Sequence, residues 1–206
     1  MPPTKLTPEE ALLDRAIRHA ILVERLKVGE VERLVGVLNA GPFADLEDAT
    51  LATMGRIKRR GPTALQTAHW RHSMERLRQI SGEGYRDWHR RAARSLDDII
   101  RSEATWQTRV LRQTTEGVDI LAADAGTLRA IRTARPFQGR HLREWAAKLD
   151  ADTFAALRGQ LRTGMLAGEG TDALMRRVQQ TVLPASRREA AMVVRTAITH
   201  VAARAQ

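Results

Sequence analysis

Arg86, Arg90 and Arg94 recur at every fourth position, with Arg91 beside them. Like charges one helical turn apart repel, so three guanidinium groups on one helix face need a reason beyond solvation. A planar, permanently charged fork that grips phosphate or carboxylate supplies one. Asp87 and Asp98 are near enough in sequence to soften the repulsion. A second cluster, Arg56, Lys58, Arg59 and Arg60, is the densest basic run. It reads either as compensation of a helix C-terminal dipole or as a contact with DNA or a protein. The preference for Arg over Lys has two sources as well, phosphate recognition or a GC-rich coding sequence.

Bond-making groups are scarcer. There is no Cys, which removes disulfides, thiolate metal sites and thiol catalysis. Of the six His, His69 and His72 stand three apart, a spacing that can offer two imidazoles to a metal from one helix face. Glu75 is the nearest carboxylate, and no triad is completed at helical spacing, so solvated or partly packed imidazoles are expected. Glu9-Glu10 suits a helix N-terminus, and Asp97-Asp98 a solvated face. No Gly-x-x-x-x-Gly-Lys-Ser/Thr loop and no Gly-x-Ser-x-Gly elbow occurs, and no strand precedes Gly82-Glu83-Gly84. The chain is expected to bind partners without catalysis, metal or cofactor.

Rigid elements must position these groups, and the composition supplies helices. The 206 residues are 43% hydrophobic, 28% charged and only 4% aromatic, rich in Ala, Leu, Arg, Glu and Gln. That is enough chain to bury a core without staples. An all-α fold is expected, with long N-terminal helices followed by a compact bundle of short ones. No apolar run reaches the roughly 20 residues of a membrane span. Met1-Pro2-Pro3-Thr4-Lys5 lacks an apolar signal segment, so a soluble, non-secreted protein is expected. Net charge is +10 and unevenly placed: −3 over residues 1–50, then +6, +3 and +4 over 51–100, 101–150 and 151–206. An acidic first segment precedes a basic body, which suits a polyanionic partner, DNA above all.

Thr7-Pro8-Glu9-Glu10 predicts a capped helix start. Ile17, Ile21, Val28, Val31, Val35 and Leu38 then form a heptad-like stripe, interrupted by Glu24 and stopped by Asn39-Ala40-Gly41-Pro42. A helix of this length must lie against a partner helix, in this chain or another. A second helix is predicted from Asp45 to Arg60, broken by Gly61-Pro62. A third runs through Trp70, Met74, Leu77 and Ile80 to a turn or kink at Ser81-Gly82-Glu83-Gly84. Another carries Trp88, Ala92, Leu96, Ile99, Trp106 and Val110. Short helical pieces are expected near Leu121 and Leu128–Ile131. Arg135-Pro136-Phe137-Gln138-Gly139 divides an elongated region, 1–135, from a compact one, 136–206.

In the second region, His141–Leu149 is predicted as one helix. Asp150 or Asp152 caps the next, Thr171 a third and Ser186 a fourth, with Leu183-Pro184 as a break. The last helix is apolar around most of its girth and should be buried. Its Arg195 then needs a carboxylate or the carbonyls of the 164–172 turn, and Thr196 is expected to bond back to the helix. Trp70, Trp88, Trp106 and Trp145 read as core anchors. The capped pair 171–181 and 186–205 imitates a helix-turn-helix, although its second helix is too apolar for recognition.

The order of pieces in 136–206 carries a resemblance. A Trp-containing helix follows Pro136-Phe137-Gln138-Gly139, and a helix ends in Gly164-Met165-Leu166-Ala167-Gly168-Glu169-Gly170. Thr171-Asp172-Ala173-Leu174 opens the next, and Val193-Val194-Arg195-Thr196-Ala197 sits in the last. This resembles the phage head morphogenesis family, the minor head proteins similar to protein F of phage Mu. Gly168, Gly170, Thr171, Arg195 and Thr196 are the matching positions, as structural residues. Relatives often carry Glu after the Arg-Thr pair, where this chain has Ala197. Relatives also continue past this helix, some into an enzymatic tail. The pattern here reaches Gln206 without a Gly or Asn cap, as a short variant or one lacking its tail would.

The resemblance implies a low-copy structural protein of the virion, inside the head near the portal, with the host cytoplasm as its place during assembly. Its implied partners are the portal, the major capsid protein, other copies of itself and packaged double-stranded DNA, with no membrane. Its implied work is head assembly, DNA packaging or DNA delivery. A non-viral helical nucleic-acid-binding protein is the alternative, and an enzyme lacking its remaining domain a third reading.

Overall fold

Thr7 opens the first helix with a capping box: its hydroxyl accepts from the Glu10 amide at 3.2 Å while the Glu10 carboxylate accepts from the Thr7 amide at 2.8 Å. The computed structural model describes residues 7–60, 68–115 and 119–205, without the side chains of 57–60, 68 and 69. The described residues are all-α. In order, they form α1 (Pro8–Leu38), α2 (Ala44–Arg60), α3 (Ala68–Thr114), α4 (Ala125–Thr133), α5 (Leu142–Leu166), α6 (Thr171–Arg177) and α7 (Leu183–Arg204). None of these helices is long and apolar enough to cross a membrane.

Antiparallel pairing organises the molecule. Ser95 of α3 meets Glu30 of α1, and Glu103 meets His19, so α1 and α3 run in opposite directions. Ser81 of α3 donates to Asp150 of α5 at 2.5 Å, and Arg78 lies over the Phe154 ring. Lys148 of α5 reaches Glu189 of α7, and Thr153 reaches Ser186. Arg187, in the first turns of α7, donates to Asn39 and covers the Phe43 ring, which seats α7 along the C-terminal part of α1. Residues 1–135 and 136–206 therefore share one core. A single cluster of buried side chains runs from Val31 to Val201, through Leu34, Leu77, Trp88, Leu161 and Ile198. The apolar side chains of α3 and of the last turns of α1, from Val31 to Leu38, need a covering, and α5 and α7 provide it.

Several expected breaks are continuous helix. Asn39–Phe43 is a π-helical turn that carries α1 straight into α2, with Pro42 buried inside it. The wider turn accommodates the missing Pro amide that an α-turn would leave as a gap. Ser81-Gly82-Glu83-Gly84 continues as α-helix, because it is a contact surface. Ser81 is buried and bonded to Asp150, and a Cβ on Gly84 would stand 2.2 Å from Pro42 Cβ. Asp150 and Asp152 cap nothing: α5 runs unbroken for 25 residues, longer than the short helices expected, with Asp152 paired to Lys148. Val178–Val182 is a second π turn, leading directly into α7 with Pro184 in its first turn. Ser186 is thus no cap. It lies buried, its hydroxyl donating to the Val182 carbonyl at 3.0 Å. The segment around Leu121 is not helical. Gly61-Pro62 lies outside the described residues.

Real interruptions occur where backbone chemistry enforces them. At 134–141 the chain reverses through Gln138 and Gly139, with φ of 48° and 77°, and Phe137 and Arg140 exchange backbone hydrogen bonds. At the end of α5, Gly168 takes φ 73°. Its amide bonds to the Met165 carbonyl and that of Glu169 to Gly164, at 3.1 and 2.9 Å, a Schellman closure that only Gly makes cheaply.

Candidate nucleic-acid interface

The outward face of α3 follows from its buried one. Trp88, Ala92, Leu96, Ile99 and Ile100 face the core, which turns Arg86, Arg90, Arg91 and Arg94 to solvent, where all four are exposed. Arg76, Arg101, Arg109 and Arg112 are exposed too, and fall on the same side of the helix. From Arg76 to Arg112 the face extends about 54 Å at 1.5 Å per residue. Glu83, Asp87, Asp97 and Asp98 are the acidic residues along it, and Asp97 accepts from Arg132 of α4 at 2.6 Å.

Asp87 takes two of these cations: Arg91 Nε donates at 2.7 Å and Arg90 Nη2 at 3.1 Å. The hydrogen bond from Arg91, then that from Arg90, holds the Asp87 carboxyl below its ordinary pKa. One carboxylate between two guanidinium groups leaves the pair positive. Arg94 Nε reaches only the Arg90 carbonyl, at 3.4 Å, and Arg86 has no carboxylate partner among the described residues. The half-buried His89 senses the surroundings. Burial first, then the positive charges of Arg132, Arg143 and Arg90, push its pKa down.

Arg33 of α1 joins this face across a groove of about 440 Å³ bordered by Arg91, Arg94, Glu30 and Asp98. Its guanidinium donates twice to Glu30, at 2.7 and 2.9 Å, and Ser95 adds a third bond at 2.8 Å. Burial pushes the Glu30 carboxyl up, but the bonds from Arg33 and Ser95 outweigh it and the net shift is downward. Glu30 therefore stays charged and pins α1 to α3 beside the Arg face.

Other predicted residues lie elsewhere. Arg56 is exposed at the end of α2 and donates to Thr53 at 3.2 Å. The side chains of Lys58, Arg59 and Arg60 lie outside the described residues, as does that of His69. Among the described residues no three His, Asp or Glu side chains gather as a metal site. Gly170, not Thr171, is the N-cap of α6, without a side-chain cap bond. Arg195 is exposed, not buried, and the residue that ties down the 164–170 turn is Arg177, which forks onto Glu169 and reaches Gln160 at 3.2 Å. Arg195 sits on the solvent side of α7, opposite Val193, Val194 and Ala197. The hydroxyl that bonds back is that of Thr199, to the Arg195 carbonyl at 3.0 Å. The helix-turn-helix reading fails as well. A π turn joins α6 to α7, and α7 buries Val193, Val194, Ala197, Ile198 and Val201.

Two features escaped the sequence reading. Glu103 is 2% exposed and holds His19 Nε2 at 3.1 Å, while the His19 ring stacks on Trp106 at 3.8 Å and 6°. Trp106 is thus a half-buried lid on a polar seam between α1 and α3, not a core anchor, unlike Trp70, Trp88 and Trp145. The far half of α1 is also uncovered: Leu13, Ile17, Ile21, Leu22 and Val28 are between 49% and 61% exposed. The stripe was legible, but not the point at which its partners end.

No family model, curated protein or solved structure matches the chain. The geometry therefore stands by itself. It offers a long cationic face, an apolar helix face beside it, and a rigid core behind both.

Proposed function

We propose that this chain is a structural minor head protein of a tailed phage, seated inside the capsid near the portal and acting in head assembly, DNA packaging or DNA delivery. The observation that carries the reading is the Arg face of α3, eight exposed guanidinium groups on one side of the helix against Glu83, Asp87, Asp97 and Asp98. Phosphate contacts of this kind hold DNA without reading its sequence, which is what a component packed against a whole genome requires. The ordered motif set in 136–206 supplies the phage context. The uncovered half of α1 supplies a second, apolar surface for the portal, the major capsid protein or other copies.

The test is the composition of purified particles. The protein is expected at a few copies per head, resistant to added protease until the head is opened. A particle that packages and delivers its DNA with the chain absent overturns the proposal. A second reading, a non-viral helical nucleic-acid-binding protein, draws on the same Arg face. Preference for one duplex over random duplex by the factor of at least about 10³ that marks specific binding supports it instead.

A further inference from the structure

Past the shared core, the last turns of α3 border a groove of about 570 Å³ that faces the segment leading into α4. Its floor is small and apolar, formed by Ala104, Ala122 and Leu128, and its rim is Arg101, Arg109 and Arg112. No Asp or Glu among the described residues lines it, whereas the neighbouring groove contains Glu30 and Asp98. The hydroxyls of Thr105 and Thr108 are committed to the Arg101 and Ala104 carbonyls, at 2.7 and 2.8 Å. The donors that remain are the three guanidinium groups and the Gln113 amide, whose oxygen accepts from Arg15.

The three guanidinium groups are differently held. Arg112 is oriented in advance, with Nε and Nη2 both on the Ile120 carbonyl at 3.0 and 2.8 Å. Arg101 has only an exposed pair with Asp98 at 3.1 Å, which is worth little in water. Arg109 makes no ion pair among the described residues. We infer that this groove seats a phosphodiester strand, with sugar edges on the alanine floor and phosphates on the Arg rim. Arg101 to Arg112 spans about 16 Å of helix, long enough to meet more than one phosphate of a single strand. A free nucleotide, with its phosphates at one end, meets one Arg of the three. The assignment rests on the DNA-binding reading above and gives it an address.

The experiment uses the full chain and a random-sequence duplex of about 20 base pairs, titrated between roughly 50 and 200 mM salt. Arg101→Gln/Arg109→Gln is compared with Arg86→Gln/Arg90→Gln, which removes the same charge from the same helix. Unchanged melting of both variants establishes that they fold. The groove pair is expected to reduce the salt slope by about two, and the comparison pair by less, because Arg86 and Arg90 lie outside the groove. Methyl resonances of Ala104 and Ala122 in the wild type should move when duplex is added. Equal slope losses in the two pairs, or unmoved methyls, overturn the groove while leaving DNA binding intact. Wild-type protein that ignores duplex even at low salt overturns the DNA reading itself. Adenosine diphosphate moving these methyls where duplex does not overturns the strand assignment in favour of a free phosphate ligand.

Discussion

Replacing Gly84 by Ala tests the packing that holds α3 against the α1–α2 junction. In an unconstrained helix interior, Gly→Ala stabilises by about 1 kcal/mol. Gly36 in α1 is such a site, with nothing within 4 Å of an added Cβ. At Gly84 the added Cβ would stand 2.2 Å from Pro42 Cβ and 2.4 Å from Pro42 Cγ, against a carbon–carbon optimum of about 3.5–4.0 Å. The proline ring cannot rotate away, and Pro42 is buried, so α3 or the π turn must move by roughly 1 Å, well over the misfit that a close-packed core tolerates. Overpacking of this kind costs about 1–3 kcal/mol. Since the clash involves two atoms of a rigid group, the upper half of that range applies and outweighs the propensity gain. Gly84→Ala should therefore lose about 1–2 kcal/mol while Gly36→Ala gains about 1 kcal/mol. Urea titration reads both, with equal m values as the check that the unfolded states match. In thermal melts each kcal/mol appears as about 2–4 °C. If Gly84→Ala raises the midpoint as Gly36→Ala does, α3 does not rest on Pro42 and the continuity of helix through Ser81–Gly84 has another cause.

Thr50 and Thr153 should respond oppositely to Val. Thr50 is fully buried with an unpartnered hydroxyl, so Thr50→Val is expected to be neutral or stabilising by up to about 1 kcal/mol. Thr153→Val should cost about 1–3 kcal/mol, because it removes a partner at 2.8 Å from the buried Tyr85 hydroxyl and another at 2.8 Å from Ser186, which keeps only its bond to Val182. Tyr85 is the chain's one tyrosine, and burial pushes its pKa up to about 12. Tyrosinate absorbance should thus appear near pH 12 in the folded protein and near pH 10 in denaturant. Between those values the unfolded state holds fewer protons, so stability should fall as pH rises, by up to about 1.4 kcal/mol per unit. A folded-state titration at pH 10 would remove the buried relay. Ile17→Ser and Leu13→Ser should each shift stability by no more than about 0.5 kcal/mol. Leu34→Ala, from the same helix but 1% exposed, should cost about 2–5 kcal/mol in the same urea series.

The helical class, the Thr7 cap, the reversal at Pro136–Gly139 and the exposed Arg86–Arg94 group were all legible because each is written locally. Periodicity, a capping box and a Gly at positive φ act within a few residues of where they are read. What misled was punctuation. Asn39-Ala40-Gly41-Pro42, Ser81–Gly84 and Leu183-Pro184 carry turn residues, yet each is helical, since tertiary contacts override local preference. Pro42 is absorbed by a π turn, Gly84 provides room for Pro42, and Pro184 follows directly on the second π turn. Arg195 was misplaced for a related reason. Its helix is apolar on one side only: Val193, Val194 and Ala197 share that side, and Arg195 falls on the other. The carboxylate contact expected of it belongs to Arg177, whose tie to Glu169 depends on how α5 and α6 meet. The Arg101–Arg112 rim was missed because its members stand eight and three residues apart without a continuous run, and only the return of the chain through 119–125 converts them into a groove.

The polar seam at His19 and Glu103 marks where burial fades. Beyond Glu103 no α3 side chain is fully buried among the described residues, and before Val31 none on α1 is. Among the described residues, the far ends of these two helices rest on each other, with α4 alongside. Such a pair can fray while the bundle behind it stays folded. Backbone amides near Arg109 should exchange with solvent water orders of magnitude faster than those near Trp88, so a body that grips this end can reshape it without unfolding the rest.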